Sequence, residues 1–155
     1  MNTKKLILVG AITGLIMGIA LFITGAIASQ IVYGPQMAPE GKFQPEQMNP
    51  GYFIWTKLAI GVIFGVFFIL LYETLPLSKR IESIWGGLKY AFVLWFVISL
   101  WNFSHPLVYN LDTINWQDKI FWLIYTLGGF LGYGLAIGFA YKRHARIMEA
   151  QIIED

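Results

Sequence analysis

The chain has 155 residues, 57% of them hydrophobic and 13% charged, with a net charge of +2. Soluble domains carry roughly 25% charged residues, so this short chain has too few charges to cover its apolar surface in water, and it reads as one all-α integral membrane domain, 1–155. The small net charge gives no reason to expect a nucleic-acid partner, and the absence of cysteine excludes disulfide exchange, thiolate nucleophiles, iron–sulfur clusters and thiolate zinc sites.

A helix needs about 20 apolar residues to cross the hydrocarbon core. Four segments qualify and predict a four-transmembrane-helix bundle. The first span runs from about Leu6 to Ala28 without a charge. Lys4-Lys5 before it and Ala26-Ile27-Ala28 at its end resemble a signal peptide, but signal cores are about 7–15 residues and this run is longer, so we expect a retained helix. A long loop from Ser29 to Gly51 follows, with Pro35, Pro39, Pro45, Pro50, Gly34 and Gly41 spaced too closely for a regular helix. It reads either as a lid or partner surface or as a plain connector.

The second span runs from about Tyr52 to Leu75, with Asn49-Pro50 as its start signal and Pro76 as its stop. The third covers about Ile84 to Leu107, with Pro106 expected to kink or end it. The fourth covers about Ile120 to Tyr141, capped by Thr113 or Asn115 and favoured by Asp118 near its positive end. Lys4, Lys5, Lys79, Arg80, Lys142, Arg143 and Arg146 flank the spans on one side, whereas the two opposite loops hold only Lys42 and Lys119. The positive-inside rule therefore puts both termini in the cytoplasm. Trp55, Trp101, Trp116, Trp122, Tyr33 and Tyr109 gather toward the outer boundary as an aromatic belt.

Apolar burial does not drive helices together in lipid; close approach through small residues does. Gly10, Gly14, Gly18 and Gly25 fall within roughly 80° of one another on the first helix. The fourth has Gly128 and Gly132 on one side and Gly134 and Gly138 on a nearly opposite side, so it should touch two neighbours. We expect the first and fourth spans to pack closely. Trp55, Gly61 and Gly65 share the spacing W-x5-G-x3-G with Trp122, Gly128 and Gly132, a pattern that fits two helical hairpins related by a parallel repeat. These glycines serve either packing within one bundle or a seam between chains.

Ionisable groups inside spans are costly and therefore informative. Lys57 lies in line with Gly61 and Gly65 at steps of four, which puts it on the packing face. Ser99, Asn102 and His105 form a slanted polar strip on the third span, and Gln30 ends the first at a similar level. Together they outline an outward-facing polar pocket for a carboxylate, a phosphate headgroup or a quinone carbonyl. The plainer alternative is that Lys57 snorkels to the headgroups while Asn102 and His105 satisfy neighbouring helices. Glu73 and Lys89 sit at comparable heights near the inner side and are candidates for an ion pair. A proton relay would need further carboxylates within the membrane, and the sequence has none.

No catalytic, cofactor or metal motif is present. His105 and His144 are expected on opposite sides, which argues against an intrachain bis-histidine haem. Small multidrug exporters share the span count but use a glutamate in the first span, which here is uncharged. The chain more closely resembles small, uncharacterised four-span bacterial inner-membrane proteins. The resemblance rests on Lys4-Lys5-Leu6-Ile7-Leu8-Val9-Gly10, the glycine-rich first helix, Leu71-Tyr72-Glu73, and the region of Gly87 and Trp95. It implies the fold and a bacterial cytoplasmic membrane, and no activity. The expectation is a non-enzymatic polytopic protein without cofactor, an accessory or scaffolding subunit or a small homo-oligomer, surrounded by lipids and other membrane chains. A binder or transporter of a small anionic or lipidic ligand is the alternative, and a membrane enzyme the third reading.

Overall fold

A computed structural model describes residues 3–34, 50–74, 83–109 and 115–154, with side chains at 3–34, 51, 54–74, 83–100 and 115–145. These residues form four α-helices: α1 Thr3–Tyr33, α2 Pro50–Thr74, α3 Ile84–Tyr109 and α4 Trp116–Glu154. Helices α1, α2 and α4 are long and apolar enough to cross a membrane, and the described side chains of α3 form a shorter apolar stretch, Ile84–Leu100.

The helix ends follow local chemistry. Gly34 has φ of 80° and its amide donates to the Gln30 carbonyl at 3.1 Å, a left-handed stop that closes α1. The segment Ser29–Tyr33, expected as loop, is therefore helix, since nothing before Gly34 breaks the turn. At the far end of the expected loop Pro50 and Gly51 are already helical, as the first residues of α2, and positions 35–49, with Asn49 among them, lie outside the described residues, as do Pro76 and Thr113. Ser83, not anticipated as a cap, accepts the Gly86 amide at 3.2 Å before α3. Asn115 accepts the Gln117 amide at 3.1 Å before α4. Pro106 does not end α3, which runs on to Tyr109. A proline removes one backbone donor, and apolar helices tolerate that when neighbouring groups adjust. Helix α4 passes its expected end at Tyr141 and continues through Lys142 to Glu154, where Lys, Arg, Ala, Met, Gln and Glu favour helix.

The helices pack through small residues. α1 lies against both α2 and α4, and α4 also lies against α3. Gly10, Gly14 and Gly18 meet α2 in antiparallel register, facing Val66, Gly61 and Leu58 respectively. A Cβ on Gly61 would stand 2.9 Å from the Gly18 amide nitrogen, and one on Gly10 would stand 2.8 Å from Val66 Cα. The glycine stripe of α1 therefore serves α2 and not α4, except Gly25, which faces the Tyr125 ring. The α1–α4 seam uses Ala20, Leu21 and Thr24 against Gly132, Gly129 and Gly128. Gly87 of α3 meets Gly134 and Gly138 of α4. The glycines of both W-x5-G-x3-G segments meet α1: for Gly61 and Gly65 of α2 that is the preceding helix, whereas for Gly128 and Gly132 of α4 the preceding helix is α3, which they do not face.

Large apolar side chains point outward. Trp55 and Trp85 are more than 70% exposed, and Ile63, Phe67, Val93, Val97 and Phe139 are exposed as well, while Thr13, Ser99, Thr126 and Tyr133 are buried. The described core is apolar as well, with Met17, Phe68, Ile69 and Ile137 buried, so it is the apolar exterior that departs from a soluble bundle, as expected when the solvent is a hydrocarbon.

Candidate functional site

The first polar cluster forms where α1 ends and α4 begins. Lys57 is half-buried on α2, and its Nζ lies over the Tyr125 ring of α4, 5.0 Å from the centroid. Such a contact contributes about 0.5–2 kcal/mol, more as water is excluded. Gly25 leaves room for the ring, since a Cβ there would already come within 3.1 Å of it. Thr24 fixes the same turn of α4, its hydroxyl meeting the Tyr125 carbonyl at 2.9 Å. Tyr125 stacks on Phe121 at 5.8 Å, Phe121 meets Tyr33 at 5.7 Å, and the Tyr33 hydroxyl donates to Asp118 Oδ1 at 2.5 Å. A row of rings thus leads from an ammonium to a carboxylate. Beside Lys57 lies a cavity of about 130 Å³ lined by Gly18, Ile19, Phe22, Ile54, Lys57 and Leu58.

Of the residues expected around an outward pocket, Lys57 lines this cavity, whereas Ser99 and Gln30 do not. Ser99 is buried on α3, with no hydrogen-bond partner for its hydroxyl among the described residues. Gln30 is exposed on α1. Asn102 and His105 lie on α3, and their side chains are outside the described residues.

The second cluster sits at the opposite end and was not foreseen. Glu73, expected to pair with Lys89, instead accepts a hydrogen bond from the Tyr141 hydroxyl of α4. Lys89 is exposed on α3. The geometry follows from helix order, because α4 brings its tyrosine to the end of α2. Tyr72 packs edge-on against Tyr90 at 4.9 Å and Tyr141 at 5.2 Å. Tyr90 donates to the Phe68 carbonyl at 2.8 Å, and Phe68 touches Phe130 at 5.6 Å and Tyr133 at 5.8 Å. Tyr133 is wholly buried, and its hydroxyl has no partner among the described residues. A usable signal was the i, i+8 spacing of Tyr133 and Tyr141, which puts two phenols near one face of α4. Trp95 Nε1 adds a link from α3 by donating to Thr126 Oγ1 at 3.1 Å.

Chemically, the tyrosine end supplies interhelical hydrogen bonds that tie α2, α3 and α4, and the Lys57 end supplies an ammonium held over an aromatic ring, with a wholly apolar cavity against the lysine's stem. Among the described residues, no group of three or more His, Asp or Glu is placed to hold a metal ion. No protein-family model, curated protein or solved structure matches the chain.

Proposed function

We propose that the chain is a four-span protein of a bacterial inner membrane, with both termini cytoplasmic, that works without catalysis as an accessory or scaffolding subunit or a small homo-oligomer. The observation that carries this reading is how small and large residues are divided. The glycines at 10, 14, 18, 61 and 65, and those at 87, 134 and 138, are spent inside the chain, and the large apolar residues face outward. A bundle that closes its own seams leaves its outer faces for lipid and for other chains, so a homo-oligomer would use the Ile, Phe and Trp faces and not the glycines. The positive flanks of the four predicted spans support the orientation. Purification from native membranes in mild detergent tests the role: a co-purifying protein or a defined oligomer is expected, and a solitary monomer would count against it.

A second reading, binding of a small anionic or lipidic ligand, is favoured by one specific observation: Lys57 stands at the wall of an apolar cavity.

A further inference from the structure

We propose that the side of the bundle between α2 and α3 is a lateral gate, latched by the hydrogen bonds of Tyr90 and Tyr141 to α2, and that it admits water to the core when those bonds break. The proposal stands on the packing of the helices and depends on neither the scaffolding nor the ligand-binding reading.

The four helices form two tight hairpins. α1 and α2 meet backbone to backbone at Gly14 and Gly61, and α3 and α4 do so at Gly87 and Gly134. A third seam joins the hairpins through α1 and α4, with Leu21 and Thr24 against Gly129 and Gly128. These are the three helix pairs that pack at length, so α2 packs at length on α1 alone. The α1–α4 seam is thus the spine of a book, and α2 and α3 are its two fore-edges.

Across the fore-edges the contacts are aromatic side chains. Tyr90 of α3 donates to the Phe68 carbonyl at 2.8 Å, and Tyr141 of α4 donates to the Glu73 carboxylate. The Tyr72 ring packs edge-on against both phenols. Breaking the two hydrogen bonds frees this end of α2 and leaves all three small-residue seams closed. The other end of α2 stays tied to α4, where Lys57 lies over the Tyr125 ring beside Gly25 of α1. Sixteen positions separate Lys57 from Glu73, roughly 24 Å of helix. The edge therefore parts at the Glu73 end.

The closed form also leaves polar atoms unsatisfied behind the latch. Tyr133 lies against Phe68 of α2, and its hydroxyl is buried without a partner among the described residues. The same holds for His144 Nδ1, one turn beyond Tyr141. Buried polar groups are rarely left so, and hydration removes the cost. The latch holds the bundle shut against that gain, which makes closed and open forms a balanced pair.

The chain has no cysteine, so single reporters can be placed. Ile137→Cys lies in the wholly buried core between Tyr133 and Tyr141, and Leu21→Cys lies in the α1–α4 seam. In the purified full chain in neutral detergent, N-ethylmaleimide reacts with a thiol that water can reach and ionise, so both reporters should label slowly. Tyr141→Phe should speed labelling of Ile137→Cys roughly tenfold, the size of one lost hydrogen bond to a carboxylate, and leave Leu21→Cys unchanged. Glu73→Gln keeps a weaker acceptor and should give a smaller rise. Tyr133→Phe removes the unsatisfied hydroxyl and should slow labelling of Ile137→Cys. No rise at Ile137→Cys with either latch variant, an equal rise at Leu21→Cys in both, or labelling not slowed by Tyr133→Phe would each overturn the gate.

Discussion

Tyr133 and Tyr90 sit in the same aromatic cluster with different hydrogen-bond states. Tyr90 donates to the Phe68 carbonyl, while the Tyr133 hydroxyl meets no partner among the described residues. A buried hydrogen bond contributes about 0.5–1.5 kcal/mol, and a buried polar group left unsatisfied costs about 1–3 kcal/mol. Tyr90→Phe should therefore lower the thermal midpoint in detergent, and Tyr133→Phe should leave it unchanged or raise it. A clear fall for Tyr133→Phe would mean that its hydroxyl is satisfied after all, for instance by a trapped water. This cluster was hard to read from the sequence because tyrosine counts as an apolar aromatic in a hydropathy run. Its partner is set by which helices are neighbours, and spacing along one helix does not reveal that. The same reason explains Glu73: equal height made Lys89 the expected partner, but α4 places Tyr141 there.

At the scale of elements, the glycines differ in what they hold apart. A Cβ on Gly14 would run into the Gly61 carbonyl, which is backbone and has nowhere to go, whereas a Cβ on Gly25 would press on the edge of the Tyr125 ring at 3.1 Å. Overpacking typically costs about 1–3 kcal/mol. Gly14→Ala should reach that range by forcing α1 from α2, and Gly25→Ala should have a much smaller effect because the ring can shift by a few tenths of an ångström. Comparable melting curves for the two variants would contradict the seam. The sequence made the four helices and several of their ends legible, since Pro50 and Asn115 act locally. It did not reveal that the stripe at Gly10, Gly14 and Gly18 serves α2. Periodicity shows which residues share a face and says nothing of which neighbour that face meets. The helical stretch Ser29–Tyr33 was hidden by the prolines that follow it.

At the scale of the molecule, the described surface is apolar around the bundle, and α4 is the longest helix. Gln117 at its start and Arg143 further along are both exposed, 26 positions apart in the sequence, or roughly 39 Å along a helix. That exceeds the roughly 30 Å hydrocarbon core. The chain lacks cysteine, so single cysteines can be introduced cleanly. With the proposed orientation, an impermeant maleimide should label Gln117→Cys from outside intact cells, and Arg143→Cys only after permeabilisation. The reverse pattern would invert the topology, and labelling of both from one side would remove the crossing by α4.

The order of packing also bears on biogenesis. α1 and α2 close their glycine seam with each other, and they are the first two helices to be synthesised. The described small-residue seam of α3 is made to α4, through Gly87 against Gly134 and Gly138. During translation, then, the first pair can assemble as soon as it is inserted, while α3 must wait beside the translocation machinery for a helix not yet made. A nascent chain arrested before Trp116 should hold a finished first hairpin next to a third helix joined to α2 through Tyr90 but still lacking its small-residue seam, the state most exposed to membrane quality control.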